Sequence, residues 1–293
     1  MKSVVTLALA VAFVSTAAAQ RKTTKPHPRQ IFVTVVDRAG APVLDLAADD
    51  FEVREDGIKR DIVKAGLAQS PMRVALMIDT GDGMDKALNH LRAGITQFAD
   101  GLSAPHEIML VSLGRQVRVR VQPTADRKKI KDVAAGMFLD GGGIPLMDGL
   151  MEIDDRFMKK AEDRWPVFVI VTSDGSEASV GANEKRFNEW LGVLPARGLS
   201  AHAVSIKYRG GGMPEIVAEH VAQVAGGYYA YINTSNSLPD KMTAIAQRLG
   251  SDFEHAKSRY QITYITDAAE TRPVDIGVAR DGVRLLMSAG RVQ

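Results

Sequence analysis

The middle of the chain alternates apolar runs of strand length with segments of helical periodicity. Residues 72–79 and 167–171 are largely apolar. Between them, residues 84–102 repeat apolar side chains every three or four positions, which is typical of an amphipathic helix. Strands that are apolar on both faces occur in parallel sheets that helices cover on both sides. The pattern therefore predicts an α/β fold with a doubly wound, mostly parallel sheet.

The same alternation extends over residues 67–258. Further strands are predicted over 107–113, 116–121, 201–206 and 228–232. Further helices are predicted over 126–135, 145–160, 184–196, 214–225 and 238–256. We interpret residues 67–258 as one α/β domain.

Both ends of the chain change to short alternating runs separated by turn residues. Before the α/β domain the predicted strands cover 31–36, 51–54 and 58–65, and after it they cover 260–264, 274–278 and 283–287. Asp56-Gly57 and Asp281-Gly282 are hairpin signals. Each set is too small to bury a core alone. We therefore predict that an amino-terminal β-module (30–66) and the carboxyl-terminal strands (259–293) pack together as one small β-sandwich.

The beginning of the chain has the features of a secretory signal peptide in the usual order. Lys2 precedes an apolar run, and Ala17-Ala18-Ala19 provides a cleavage site. The run is shorter than the roughly 20 residues that a membrane-spanning helix needs. We predict a signal peptide over 1–19, no integral membrane span after its removal, and a secreted or periplasmic mature chain. The basic, proline-containing stretch over 20–29 is predicted to be a disordered linker.

Composition argues against several classes of function. The chain has 37 Lys and Arg residues against 35 Asp and Glu, a formal net charge of +2, so no global field attracts nucleic acid. It has no cysteine, so its core rather than disulfides must hold an exported chain together. No G-x-S-x-G, H-E-x-x-H or G-x-x-x-x-G-K-S/T motif is present, and the six histidines lack metal-ligand spacing. We therefore predict that the protein is not an enzyme.

The candidate site is an acidic, glycine-rich turn that follows the strand predicted over 72–79. The turn reads Asp79-Thr80-Gly81-Asp82-Gly83, a second apolar strand ends in Ser173-Asp174-Gly175, and a third segment reads Gly142-Gly143-Ile144-Pro145-Leu146-Met147-Asp148. Together these segments resemble the von Willebrand factor A domain, and the resemblance covers essentially the whole chain after the signal peptide. It implies a Rossmann-like fold with a metal-ion-dependent adhesion site at the carboxyl edge of the sheet.

The resemblance also implies which metal ligands this chain has lost. The family's adhesion site begins with Asp-x-Ser-x-Ser and adds a threonine and a second aspartate. Asp79 and Asp174 match the two aspartates. Gly81 and Gly83 replace the serines, and Ile144 replaces the threonine. Because Mg²⁺ demands near-octahedral oxygen ligation, we predict a degenerate site without a cofactor. Weak binding of Mg²⁺ or another divalent cation by the two aspartates is the alternative.

Three functions remain open from the sequence. The first, which we favour, is an exported, non-enzymatic module that binds an unknown protein partner through the carboxyl edge of the sheet or through the β-sandwich. The second is metal-dependent adhesion or ligand binding that uses Asp79 and Asp174. The third is a hydrolase whose residues only the fold brings together. A purely structural interpretation is also open, in which the two aspartates cap helices and bond loop amides.

Overall fold

The computed structural model describes residues 23–161, 163–181, 184–207, 211–269 and 273–286, so the predicted signal peptide over 1–19 lies outside the described residues. The strands are β1 (Thr23–Asp37), β2 (Phe51–Glu55), β3 (Ile58–Arg60), β4 (Ile62–Leu67), β5 (Met72–Asp79), β6 (Glu107–Leu113), β7 (Val117–Thr124), β8 (Trp165–Ser173), β9 (Ser200–Ile206), β10 (Tyr229–Ile232), β11 (Tyr260–Ala268), β12 (Val274–Val278) and β13 (Val283–Leu286). The helices are α1 (Leu88–Gly101), α2 (Arg127–Ala135), α3 (Leu146–Ile153), α4 (Glu184–Val193), α5 (Met213–Val224) and α6 (Leu238–Ala256). Among these residues no helix is long and apolar enough to cross a membrane.

The centre of the molecule is a six-stranded sheet with the strand order β10-β9-β8-β5-β6-β7. All neighbouring pairs are parallel except β6 and β7, which are antiparallel. From β5 the chain builds the sheet outward to β7 on one side, and from β8 it builds outward to β10 on the other. The order therefore reverses between β5 and β8, the place where open α/β sheets bind ligands. The predicted doubly wound, mostly parallel sheet is confirmed.

Helices cover the sheet on both faces because alternate strand residues enter two separate cores. Val74 and Leu76 belong to the core formed with α1, α2 and α6. Ala75 and Met77 belong to the core formed with α3, α4 and α5. All four side chains are fully buried. Burial on both faces explains why the strand is apolar at consecutive positions rather than at alternate ones.

The strands at the two ends of the chain form a β-sandwich. One sheet has the order β13-β1-β11-β4, and the other has the order β12-β2-β3. Each sheet combines strands from before and after the α/β domain. The two sheets share one buried core that includes Val33, Val53, Tyr260 and Ile262. The predicted sandwich is confirmed, with the α/β domain inserted between β4 and β11.

The prediction of a disordered linker over 20–29 is wrong for the residues that the structure describes. β1 begins at Thr23, and Pro28 pairs with Ile265 of β11. On its other side β1 pairs with β13 from Thr34 to Asp37 within the described residues.

Two predicted helices differ from those in the structure. The helix predicted over 145–160 is α3 followed by a π-helical turn, Asp154–Met158. In this turn Asp154 is buried and accepts hydrogen bonds of 2.6 and 2.7 Å from the guanidinium of Arg197. The helix predicted over 84–102 begins only at Leu88, because a separate 3₁₀ turn, Asp82–Met84, precedes it.

A buried ion network joins the two sheets of the sandwich. Glu55 at the end of β2 is fully buried and pairs with Arg29 of β1 and Arg60 of β3, each at 3.0 Å. The hydroxyls of Thr266 and Tyr264 on β11 also donate to its carboxylate. Burial raises the pKa of Tyr264 to about 12, so this hydroxyl keeps the proton that it donates. The network thereby satisfies a charge whose burial is otherwise unfavourable.

We expect Glu55→Ala to lower the free energy of unfolding by about 3–5 kcal/mol, because it leaves two largely buried guanidinium groups without their shared carboxylate. Urea unfolding followed by circular dichroism measures the change. Glu52→Ala is the matched control, since Glu52 lies on the same strand and pairs with Arg54 and Lys59 in exposed positions. It should change the stability little. Equal effects of the two substitutions would contradict a role for the buried network.

Candidate functional site

The candidate site lies at the carboxyl edge of the central sheet, between the ends of β5 and β8. Asp79 is the last residue of β5, and β8 ends at Ser173, immediately before Asp174. The loop that precedes α3 reaches the same place, because the N–H of Asp82 donates to the carbonyl of Gly142 at 3.0 Å. The structure thus brings three loops together at the point where the strand order reverses.

Asp79 is enclosed, and its two carboxylate oxygens bind donors of the protein itself. Oδ1 accepts the N–H of Gly81 at 2.8 Å. Oδ2 accepts the N–H of Ser173 at 3.0 Å and its hydroxyl at 2.7 Å. The residue is 1% exposed. Burial raises the pKa of Asp79 to about 6, and this effect outweighs the hydrogen bonds from Ser173 and Gly81, which lower it.

The two glycines of the turn are in positions where a side chain does not fit. A Cβ atom at Gly81 would lie 2.6 Å from the carbonyl oxygen of Gly142 and 2.9 Å from Cγ2 of Ile144. A Cβ atom at Gly83 would lie 2.3 Å from the hydroxyl oxygen of Ser173. These distances are shorter than van der Waals contact, so serines at 81 and 83 would displace their neighbours.

Ile144 seals the site on the side of α3. It is 2% exposed and belongs to the apolar core between the sheet and α3, α4 and α5. Its backbone joins the loop after β8: its N–H donates to the carbonyl of Ser176 at 2.9 Å, and its carbonyl accepts the N–H of Ala178 at 2.8 Å. A β-bridge between Ile144 and Glu177 thus fixes an apolar side chain at this side of the site.

The loop after β8 is held rigidly against the start of α3. Glu177 accepts the N–H of Leu146 at 3.1 Å, and burial raises the pKa of this carboxyl group. The carboxylate of Asp148 accepts the N–H groups of Val180 and Gly181, both at 2.9 Å. The loop nevertheless exposes Val180, whose side chain is 99% accessible.

Asp140 is a further organising residue of this edge that the sequence did not reveal. It accepts hydrogen bonds from the hydroxyl of Thr80 at 2.8 Å and from the guanidinium of Arg120 at 2.8 and 2.9 Å. Although burial raises its pKa, these bonds hold the pKa of Asp140 below its ordinary value. In the sequence Asp140 stands out only as a carboxylate directly before the run from Gly141 to Gly143. Its partners are distant along the chain, because Thr80 follows β5 and Arg120 lies on β7.

Asp174 lies beside this cluster and is half-buried. Its N–H donates to the carbonyl of Ile206 at 3.3 Å. A Cβ atom at Gly212 would lie 2.5 to 2.6 Å from the backbone of Asp174, so the loop before α5 packs directly on it. The purely structural interpretation gave the aspartates two roles, helix capping and hydrogen bonding to loop amides. Asp79 has the second role only, since Gly81 and Ala87 occupy the cap positions of the following turn and helix.

Of the comparisons with known proteins, the one with solved structures bears on the fold. No protein family matches the sequence, and no functionally curated protein matches it. Among solved structures, a von Willebrand factor type A protein from Catenulispora acidiphila is similar over 91% of this chain and 72% of its own, with a TM-score of 0.54 and 10% sequence identity. The fold of this chain is that of a von Willebrand factor A domain. At this identity the likeness concerns the fold alone.

A second similar structure is proximal thread matrix protein 1 from the mussel byssus, described with a zinc-occupied metal-ion-dependent adhesion motif. It is 12% identical, with a TM-score of 0.50, over 70% of this chain and 49% of its own. The von Willebrand factor A fold thus provides a metal position in that protein.

The residues present at the corresponding edge of this chain do not fit a divalent cation. Asp79 directs both oxygens to N–H and O–H donors, Gly81 and Gly83 provide no oxygen from a side chain, and Ile144 provides a methyl group. Within the described residues no group of three His, Cys, Asp or Glu side chains is placed to hold a metal. Asp79, Gly81, Gly83 and Ile144 therefore supply no side-chain oxygen that is free of a hydrogen bond toward the octahedral shell that Mg²⁺ needs.

We expect the unmodified chain to gain stability relative to Asp79→Asn as the pH falls from about 7 to about 4. The pKa of Asp79 is about 6 in the folded chain and 3.8 ordinarily, so the folded state binds this proton more tightly. The contribution to stability is fully present below the ordinary pKa and is lost as the pH rises through about 6. The shift corresponds to about 3 kcal/mol.

Urea unfolding of both proteins across this pH range measures the difference in free energy. The two proteins share all other carboxyl groups, so the contributions of those groups to the pH dependence cancel when the two free energies are subtracted. A difference that does not change with pH would show that the pKa of Asp79 is the same in the folded and unfolded chains. A difference that shifts in favour of the unmodified chain as the pH rises would show that Asp79 is stabilised as a charged group.

Proposed function

We propose that this chain is an exported, non-enzymatic protein-interaction module of the von Willebrand factor A type, which works at its carboxyl edge without a metal ion. One observation carries the proposal: both oxygens of Asp79 are already used by hydrogen-bond donors of the protein. The export part of the proposal rests on the sequence of residues 1–19.

A cation at this position would have to displace the hydroxyl of Ser173 from Asp79. It would then meet the N–H groups of Gly81 and Ser173, which are donors and repel a cation. The serines that would supply neutral oxygens do not fit beside Ile144 and Ser173. These features support a site in which hydrogen bonds have replaced metal coordination, and they weigh against the alternative of adhesion through Asp79 and Asp174.

The same edge exposes apolar side chains on rigid supports, which favours a protein as the partner. Val180 is almost fully exposed on a loop that Asp148 and the bridge to Ile144 hold in place. Phe138 and Met213, each 53% exposed, flank the loops that meet at the site. Apolar side chains that are fixed before binding lose little conformational freedom on association.

The hydrolase alternative lacks support in the arrangement of titratable groups. Asp79 and Glu177 have raised pKa values, but both are enclosed and bonded to loop amides. Neither lines the groove between β7 and α2 or the groove beside His106. A catalytic carboxyl group has to face a space that admits a substrate.

We expect millimolar Mg²⁺, Mn²⁺ or Ca²⁺ to produce no binding heat and no change in melting temperature with the unmodified protein. Ligand binding stabilises by RT ln(1 + [L]/Kd), which is negligible when Kd far exceeds the ion concentration. The combined variant Gly81→Ser, Gly83→Ser, Ile144→Thr introduces three hydroxyl groups, but threonine keeps the Cγ2 atom that crowds position 81, so the clashes at 81 and 83 remain. It should be less stable without metal and should gain stability with Mg²⁺. A clear stabilisation of the unmodified protein that Asp79→Ala abolishes would contradict the proposal.

We expect a partner from the exported fraction to be captured equally well with and without EDTA, and to be lost with Val180→Asp. Cross-linking followed by quantitative mass spectrometry measures the captured amount. Val63→Asp is the matched control, because Val63 is 62% exposed on β4 of the sandwich. A loss with Val63→Asp alone would assign the interaction to the sandwich, and a loss on adding EDTA would favour metal-dependent adhesion.

A further inference from the structure

We propose that an arginine patch beside the closed site binds acidic side chains of a partner protein. The patch consists of Arg115, Arg118, Arg120 and Phe138. The inference rests on the proposed function, because it names the chemistry of the partner for the same edge of the sheet.

The turn between β6 and β7 places the patch at the carboxyl edge. β6 ends there at Leu113, and β7 starts from it at Val117 in the opposite direction. Arg115 lies in the turn and is exposed. Its aliphatic part packs over Gly142, where a Cβ atom would lie 3.0 Å from Cγ of the arginine. Arg115 therefore adjoins the loop that closes the candidate site.

A single carboxylate orients two of the arginines and is itself fully used. Asp140 accepts two hydrogen bonds from Arg120, at 2.8 and 2.9 Å, and a longer one from Arg118 at 3.3 Å. It also accepts the hydroxyls of Thr80 and Ser112. The side chain of Arg118 remains 47% exposed. Asp140 thus fixes the guanidinium groups without neutralising all of their charge.

Arg115 adds a guanidinium that makes no ion pair or hydrogen bond with the described part of the chain. Among the described residues, the three guanidinium groups therefore have one carboxylate, that of Asp140, as an ion-pair partner. A guanidinium binds a carboxylate through two parallel N–H bonds, and pre-orientation reduces the entropy lost on binding. Arg115 and Arg118 are the two that retain donors accessible to a partner.

Phe138 makes the patch suited to a protein segment rather than to a small anion. Its ring is half exposed, and the guanidinium of Arg120 lies 4.9 Å from the ring centroid. The ring offers an apolar contact directly beside the charged donors. A segment in which acidic and apolar side chains alternate matches both features.

A competing carboxylate close to the patch is that of Asp82, which is exposed on the turn after β5. One of its oxygens lies 3.2 Å from the Cβ position of Gly141, the neighbour of the glycine that Arg115 covers. Over such a short distance the negative charge of Asp82 should weaken the attraction of an acidic partner. Removing this charge should therefore strengthen binding. This effect is opposite to that of the arginine substitutions, which should weaken binding.

The test uses a fluorescent octapeptide in which glutamate and leucine alternate, with the glutamine-leucine peptide as its neutral counterpart. Fluorescence anisotropy at low ionic strength measures binding to the mature chain. We expect the glutamine peptide to bind at least tenfold more weakly, and the double variant Arg115→Ala, Arg118→Ala to weaken the glutamate peptide by at least tenfold. Asp82→Asn should strengthen it about twofold. Arg54→Ala, which removes a similarly exposed arginine from the sandwich, should leave binding unchanged.

Several outcomes would overturn the inference. They are no binding of the glutamate peptide at millimolar concentration, equal binding of both peptides, or equal weakening by Arg54→Ala and by the double variant. At least tenfold tighter binding of a phosphoserine peptide would assign the patch to phosphate instead. The variant Arg115→Lys, Arg118→Lys keeps the charge, so binding should fall only partly. It also shows whether the weaker binding of the alanine variant comes from the lost side chains or from loss of folding. If capture of the partner depends on Val180 but not on the arginines, the patch is refuted and the proposed function stands.

Discussion

The structure of the carboxyl edge depends on the contact between Asp79 and Ser173. Their hydrogen bonds join the ends of β5 and β8, where the strand order reverses. The hydroxyl of Ser173 occupies the space that a side chain at position 83 would need, so glycine is required there. One buried carboxylate, satisfied by a neighbouring strand, thereby determines the composition of the turn that follows it.

Because the centre of this site is closed, the side chains that a partner can reach lie around it. Asp79 is enclosed with both of its oxygens hydrogen-bonded, and Ile144 fills the adjacent space, so little of the centre is open to a ligand. Around it, Val180 and the arginines near Asp140 are accessible but held in place. A surface of fixed apolar and cationic groups suits recognition of a protein better than chemistry on a small substrate.

The β-sandwich joins the two ends of the chain. β1 and β11 pair along most of their length, and Glu55 on β2 binds Arg29 of β1 and Arg60 of β3. The α/β domain is thus attached at both its beginning and its end to one rigid core. No disulfide contributes to this attachment, since the chain has no cysteine.

The sequence by itself determined the central sheet, its helices and the strands at both ends, because apolar periodicity reflects which face of each element is buried. It also identified Asp79, Gly81, Gly83, Ile144 and Asp174 as the positions of interest. Only the tertiary structure decided what these positions do. The role of Asp140 depends on Thr80 and Arg120, the π-helical turn at Asp154 depends on Arg197, and the start of β1 depends on a strand more than 200 residues away. Sequence patterns depend on residues that are close along the chain. The hydrogen bonds named above join residues that are far apart along the chain and come close only in the folded protein.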